Sequence, residues 1–331
     1  MNPSTPVPTS PAEDHAVVPT VRRVSFDWSN TPLHWVKADD PFPGHLINVF
    51  HMLLPPLERW FIHDYRQILP RITDELLREQ VRAFMGQEGV HAVAHTTALD
   101  HLQAQGVDCT AYMQRAEHVF SQILSDDTAP RALRNRWLEA RIAAIAGLEH
   151  FTAVLGQWLL DAKELDAVGA DPVMLDLLRW HGAEEVEHRA VAFDTYRHIS
   201  GNYPLRQTVM MTLVFPSLMK LLIDGGAFLM LADPTVDEPT KRRYRGRQRA
   251  VQVLREWRRA AKQGLLPRPK LLFGAIPEFL NPKYHPIEHG STAQAQAYLA
   301  RSPAAQAVYG PPAEPAPEPA EPNPEPAEPN P

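Results

Sequence analysis

Cys109 is the only cysteine in this 331-residue chain. An intrachain disulfide is therefore excluded, and a zinc site built on several thiolates with it. The amino end, MNPSTPVPTSPAED, lacks the basic start and apolar run of a secretory signal, so a cytoplasmic protein is expected. A strong charge bias is missing too. Of 39 acids against 33 bases, five glutamates lie in the last 21 residues, which carry no base. The rest of the chain is close to neutral, and nothing in its charge points to nucleic acid. Period-two strand alternation, an internal repeat and the HExxH motif of zinc proteases are all absent.

What is present is helix. Hydrophobic residues make up 44% and charged residues 22%, ordinary for a globular protein. From His45 to about Leu69 apolar residues recur at helical spacing, with Pro55-Pro56 implying a kink or a restart. A second helix is expected from the TDEL cap near Thr73 to about Gly106. A shorter one should span 108–125, a third should run from about Pro130 to Asp161, and a fourth from Asp171-Pro172 to about Ser200. Residues 1–20 and 302–331 are rich in proline and are expected to be disordered tails. Between them the reading is a bundle over 21–203 and a helical extension over 204–301.

Two helices carry Glu-x-x-His: Glu88 with His91 on the second, and Glu185 with His188 on the fourth. A spacing of three puts both side chains on one helical face. The other two helices each place a glutamate in apolar sequence, Glu58 in LERWF and Glu149 in IAAIAGLEHFTAVLG. A buried carboxylate needs a metal, a partner or a proton. Glu58 and Glu88 are 30 residues apart, Glu149 and Glu185 are 36. At about 1.5 Å per residue, each pair fits an antiparallel hairpin with its ligands at one height. The 58 residues from His91 to Glu149 leave room for a long crossover. The expected fold is all-α, a ferritin-like four-helix bundle with a long crossover and added C-terminal helices, binding two metal ions.

Further polar residues share these faces. His95 follows His91 by four and His181 precedes Glu185 by four, which suits them to orient ligands or to join the set. Gln87 and Glu184 each precede a ligand glutamate, where they can orient the histidine of the facing motif. His150, beside Glu149, fits core packing as well as function. Glu187 reads as a surface glutamate.

These motifs resemble a bacterial family, the predicted metal-dependent hydrolases, grouped with ferritin-like proteins. The residues that carry the resemblance are RRVSFDWSNTPLHWVKADDP, LERWF, FMGQEGVHAVAH, LEHFTA and WHGAEEVEHRAVAFDTY, with YHPIEH near position 284. The chain departs from the pattern at Leu57, where the family more often has glycine. The family name implies hydrolysis.

Carboxylate and imidazole ligands suit iron, with manganese and zinc as alternatives. The expected activity is O2-dependent oxidation of a small, lipophilic organic substrate. The alternatives are a hydrolase with a two-metal-activated water and a non-catalytic metal-binding protein. Residues 205–232 are apolar but broken by Lys220 and Asp224, and 241–262 hold ten bases against Glu256. A helix packed over the bundle is the reading taken; peripheral membrane contact through 205–262 is the alternative. A homo-oligomer is compatible with everything above.

Overall fold

The computed structural model describes residues 17–309, and among these there are helices and no strands. The expected tails at 1–16 and 310–331 lie outside the described residues. Four long helices form the central bundle: α1 (Pro41–Ile68), α2 (Glu75–Ala104), α4 (Arg134–Asp161) and α5 (Pro172–His188), with α3 (Thr110–His118) in the crossover. Helix α1 packs along α2, and α4 along α5.

Local chemistry sets the ends. Asp74 accepts a hydrogen bond from Leu77 N at 2.9 Å, and Asp171 does the same for Met174 N ahead of Pro172, which satisfies amides that have no partner in the first turn. Of the kink or restart expected at Pro55-Pro56, the restart does not occur: α1 is one continuous helix through both residues. Proline's fixed φ is a helical φ, and both rings are buried in the packed interior. The bundle supplies the hold that two missing hydrogen bonds withdraw.

The fourth helix does break, although the sequence reads through. After His188 the hydrogen-bond ladder lapses at Arg189 and Ala190, and α6 (Val191–Ile199) follows. Arg189 lies buried, donating to Pro286 O at 3.2 Å, Ile287 O at 3.0 Å and Thr292 Oγ1 at 2.9 Å. Gly201, at φ +59°, ends α6 in the left-handed conformation that glycine adopts without strain.

The crossover is tied down by Arg141 on α4. Its guanidinium lies 3.2 Å from Asp64 and donates to Leu124 O at 2.9 Å and to Asp126. The helix expected over 108–125 is shorter, giving way to a π turn at Val119–Ile123.

Beyond the bundle come α7 (Tyr203–Ala232, widened by a π turn at Met210–Val214), α8 (Arg249–Lys262), α9 (Pro269–Leu280), α10 (Thr292–Leu299) and α11 (Pro303–Tyr309). Helices Arg131–Asp161 and Tyr203–Ala232 are long and apolar enough to cross a membrane, yet each buries about half of its apolar stretch, 56% and 44%, inside the fold. Helix α7 lies on α1, and α10 lies on α5.

The described fold reaches into both expected tails, toward the termini. Residues 303–309 are helical: Ala304 N donates to Asp176 Oδ2 at 2.8 Å, and Ser302 is buried. Residues 17–20 are held to α2 by Gln80, which donates to Val17 O at 2.9 Å, and by Gln87, which donates to Thr20 O at 3.0 Å. The strap that follows lies so close to α2 that a Cβ at Gly86 would stand 2.5 Å from Val21 Cγ2.

Candidate metal centre

Glu58 from α1, Glu88 and His91 from α2, Glu149 from α4, and Glu185 and His188 from α5 meet in the bundle interior, all almost wholly buried. Around His188 the carboxylates crowd. Its Nε2 lies 3.1 Å from Glu149, 3.3 Å from Glu185 and 3.5 Å from Glu88. On the other side, His91 Nδ1 lies 3.7 Å from Glu185 and 3.8 Å from Glu88. Ligand atoms of Glu88, Glu149, Glu185 and His188 fall within 4.8 Å of one another, as do those of Glu58, Glu88 and His91, and of His91, His181 and Glu185. Glu88 and Glu185 each lie within 3.8 Å of both His91 and His188, so they stand between the two imidazoles.

The atoms facing this space lack hydrogen-bond partners: both oxygens of Glu58, Glu88 Oε1, Glu149 Oε2, Glu185 Oε2, His91 Nδ1 and His188 Nε2. Unpaired buried polar atoms are costly and therefore rare in folded proteins. Seven of them aimed at one interior space fit cations. Burial, together with the charges of neighbouring glutamates, pushes Glu58 and Glu88 well above the ordinary carboxylate range and Glu149 up to about 7. Two divalent ions would balance four carboxylates and remove that repulsion.

The backs of the histidines are fixed. His188 Nδ1–H donates to Gln87 Oε1 at 2.9 Å, which leaves the Nε2 lone pair facing the centre. His91 Nε2–H donates to Glu184 Oε2 at 2.9 Å, which leaves Nδ1 facing it. Gln87 and Glu184 thus each stand behind the histidine of the opposite motif. Arg22 of the strap joins them: it donates to Glu184 at 3.0 Å and to Glu187 at 2.8 and 2.9 Å, and Glu187 accepts from Gln87 at 2.8 Å. Burial raises the Glu184 carboxyl to about 8 against the pull of Arg22.

Arg22 and Glu187 are what sequence reasoning missed. Glu187 is buried rather than on the surface, because the strap folds back over the outer face of α5. The available signal was the RRVSF segment, a paired base in an otherwise apolar strand of sequence.

His181 and His95 also reach the centre. His181 Nε2 lies 2.7 Å from Glu185 Oε1 and 3.9 Å from Glu58. Its Nδ1 contacts His95 Nε2, and His95 Nδ1 lies 2.7 Å from His51 Nδ1. One set of neutral tautomers satisfies the row: His51 Nδ1–H donates to His95, His95 Nε2–H to His181, and His181 Nε2–H to Glu185. Burial, reinforced by the neighbouring His181, holds His51 at about 3 and His95 well below the ordinary imidazole range. His51 was not singled out in the sequence.

His150 packs elsewhere. It points away from the centre, donating from Nε2 to Ala275 O at 2.8 Å and accepting at Nδ1 from Tyr284 OH at 2.7 Å. One position on from Glu149 along a helix is a turn of about 100°, which aims it at α9 and the YHPIEH segment.

The profile of a family described as predicted metal-dependent hydrolase matches residues 20–290. The chain belongs to this family. The matched stretch runs from the strap through every residue of the centre to the segment that packs on His150. No curated protein and no solved structure matches the chain. Membership of the hydrolase family implies metal dependence, and the clustered glutamates and histidines supply the donors for it.

Proposed function

We propose that this member of the family is a two-metal hydrolase whose ions are held by Glu58, Glu88, Glu149, Glu185, His91 and His188 in a ferritin-like arrangement of four helices. The observation that supports it most strongly is the convergence of seven unpartnered buried ligand atoms on one interior space. Two bound divalent ions supply Lewis acidity and a water acidic enough to attack at neutral pH.

The chain's own residues do the rest. Glu88 and Glu185 lie where both ions can be reached, and Gln87 and Glu184 hold the imidazoles in the tautomers that ligate. Arg22 donates to both Glu184 and Glu187 and so holds these side chains in place behind them. His181, with Nε2 beside Glu185 and its Nδ1 backed by His95, is placed to carry a proton toward a leaving group. The carboxylate and imidazole donors suit iron or manganese, and zinc also accepts them.

A second reading, an O2-dependent di-iron oxidase, is favoured by one observation. The ligands are sealed in the bundle interior, and apolar side chains line the space beside them. The test is a comparison of the metal-loaded protein with and without O2. Hydrolysis of activated esters or phosphoesters that is independent of O2, abolished by chelation and lost in Glu149→Ala, is the expected result. An O2-dependent optical change, with no hydrolysis above that of Glu149→Ala, would replace it with the oxidase.

A further inference from the structure

A narrow apolar space adjoins the centre. Its inner end is formed by His95, His181 and Glu185, and its walls by Ile47, Phe50 and Leu54 of α1, Leu155 and Leu159 of α4, and Leu178 of α5. The other polar side chain on the wall, Thr152, donates its hydroxyl to Glu149 O at 3.1 Å. Trp257 of α8 helps to close the far end.

The positions of these residues give the space its shape. Ile47 precedes Glu58 by 11 residues, Leu159 follows Glu149 by 10, and Leu178 precedes Glu185 by seven. At 1.5 Å per residue all three reach roughly 10 to 17 Å from the ligand layer. Helix α4 runs antiparallel to α5, so the three displacements point toward the same end of the bundle. The volume is about 80 Å³, roughly half that of an apolar cavity that accepts benzene. A space this long and this small is a slot one chain wide.

The close crossing of α4 and α5 keeps it narrow. A Cβ on Gly156 would stand 2.4 Å from Gly182 O, and both glycines line the slot. Trp158 and Leu266 line both the slot and a wider surface groove of about 770 Å³, so these two side chains form the partition between interior and solvent.

Resting on the metal-centre reading above, we propose that the substrate carries an unbranched aliphatic chain, which lies extended in this slot and presents its reactive group to the centre. Among the described residues no charged side chain other than Glu185 of the centre faces the slot, so a charged group has nothing there to replace its water, and a branched one is too wide for the close crossing of α4 and α5. The wider groove outside takes whatever polar part of the substrate remains beyond the partition.

The probe is the series of straight-chain alcohols from propan-1-ol to octan-1-ol, titrated by calorimetry into the metal-loaded full-length protein. Affinity is expected to rise about fourfold per methylene until the slot is full, and to stay flat for alcohols ending in a tert-butyl group. Ile47→Trp and Leu155→Trp, placed on different helices, should each flatten the straight-chain series. An unvarying affinity across chain lengths in the unmodified protein overturns the proposal, as does an unchanged slope in both folded variants. A rising series in protein that takes up no metal supports the slot and contradicts the metal centre, so the two failures are distinguishable.

Discussion

The amide oxygen of Gln87 accepts the Nδ1–H of His188 at 2.9 Å, while the same amide's nitrogen donates to Glu187 and to Thr20 O. Two donors' worth of contacts on the nitrogen settle which way the amide points, and the amide in turn settles the tautomer of His188. Replacing Gln87 by leucine removes that hold and leaves the fold's apolar packing in place. Metal affinity should fall about 10- to 100-fold, measured by competition with a chromophoric chelator. Unchanged affinity would show that His188 does not depend on it.

Arg22 carries two buried carboxylates on one guanidinium. With Arg22→Ala, Glu184 and Glu187 lose their shared donor inside the protein, and leaving a buried polar group unpaired costs about 1–3 kcal/mol. Chemical denaturation should show a loss of that order. A loss under 1 kcal/mol would mean that the strap contributes little.

The crossing of α4 over α5 leaves no space for a methyl group. Gly156→Ala should destabilise by about 1–3 kcal/mol through overpacking, whereas Gly169→Ala is strained only by its φ of +74°, since nothing lies near its Cβ. Thermal unfolding of the two variants, with metal affinity measured alongside, separates the causes. The first should weaken metal binding with stability, because His181 and Glu185 flank the crossing, and the second should not.

A pH dependence arises far from the centre. His34 Nε2 and His45 Nε2 lie 2.8 and 2.7 Å from the same oxygen of Asp233, at the end of α7. The hydrogen bond that His34 donates to Asp233 raises the His34 pKa above its ordinary 6.5. A raised histidine pKa contributes stability that is complete below 6.5 and is lost as pH rises through the higher folded value. Protection of the 31–40 amides from hydrogen exchange, corrected for the intrinsic rate, should therefore fall above pH 6.5. In Asp233→Asn the step should vanish; its persistence there would assign it to another group.

The six side chains that the four helices bring together were legible because their signals are local. Glu-x-x-His fixes two ligands on one helical face, and a glutamate inside IAAIAGLEHFTAVLG has no comfortable apolar surroundings. Residues whose role depends on what folds over them were harder to see. Glu187 looks solvated until the strap brings Arg22 against it, and His51 is an ordinary core histidine until His95 faces it from α2. The restart at Pro55-Pro56 fails for a related reason: local propensity argues for it, and burial in the bundle keeps the helix continuous. Arg189 ends α5 just after the last ligand by reaching loops about a hundred residues away, which no periodicity records.

The central claim is that six side chains from four helices hold two metal ions. Metal content of the purified full-length protein, measured by plasma emission spectrometry after loading under reducing conditions and desalting, tests it most directly. About two ions per chain, falling below one in both Glu149→Ala and His188→Ala while the circular dichroism stays helical, is the predicted result. Full retention of metal in both variants, or a folded protein that retains none, would contradict it.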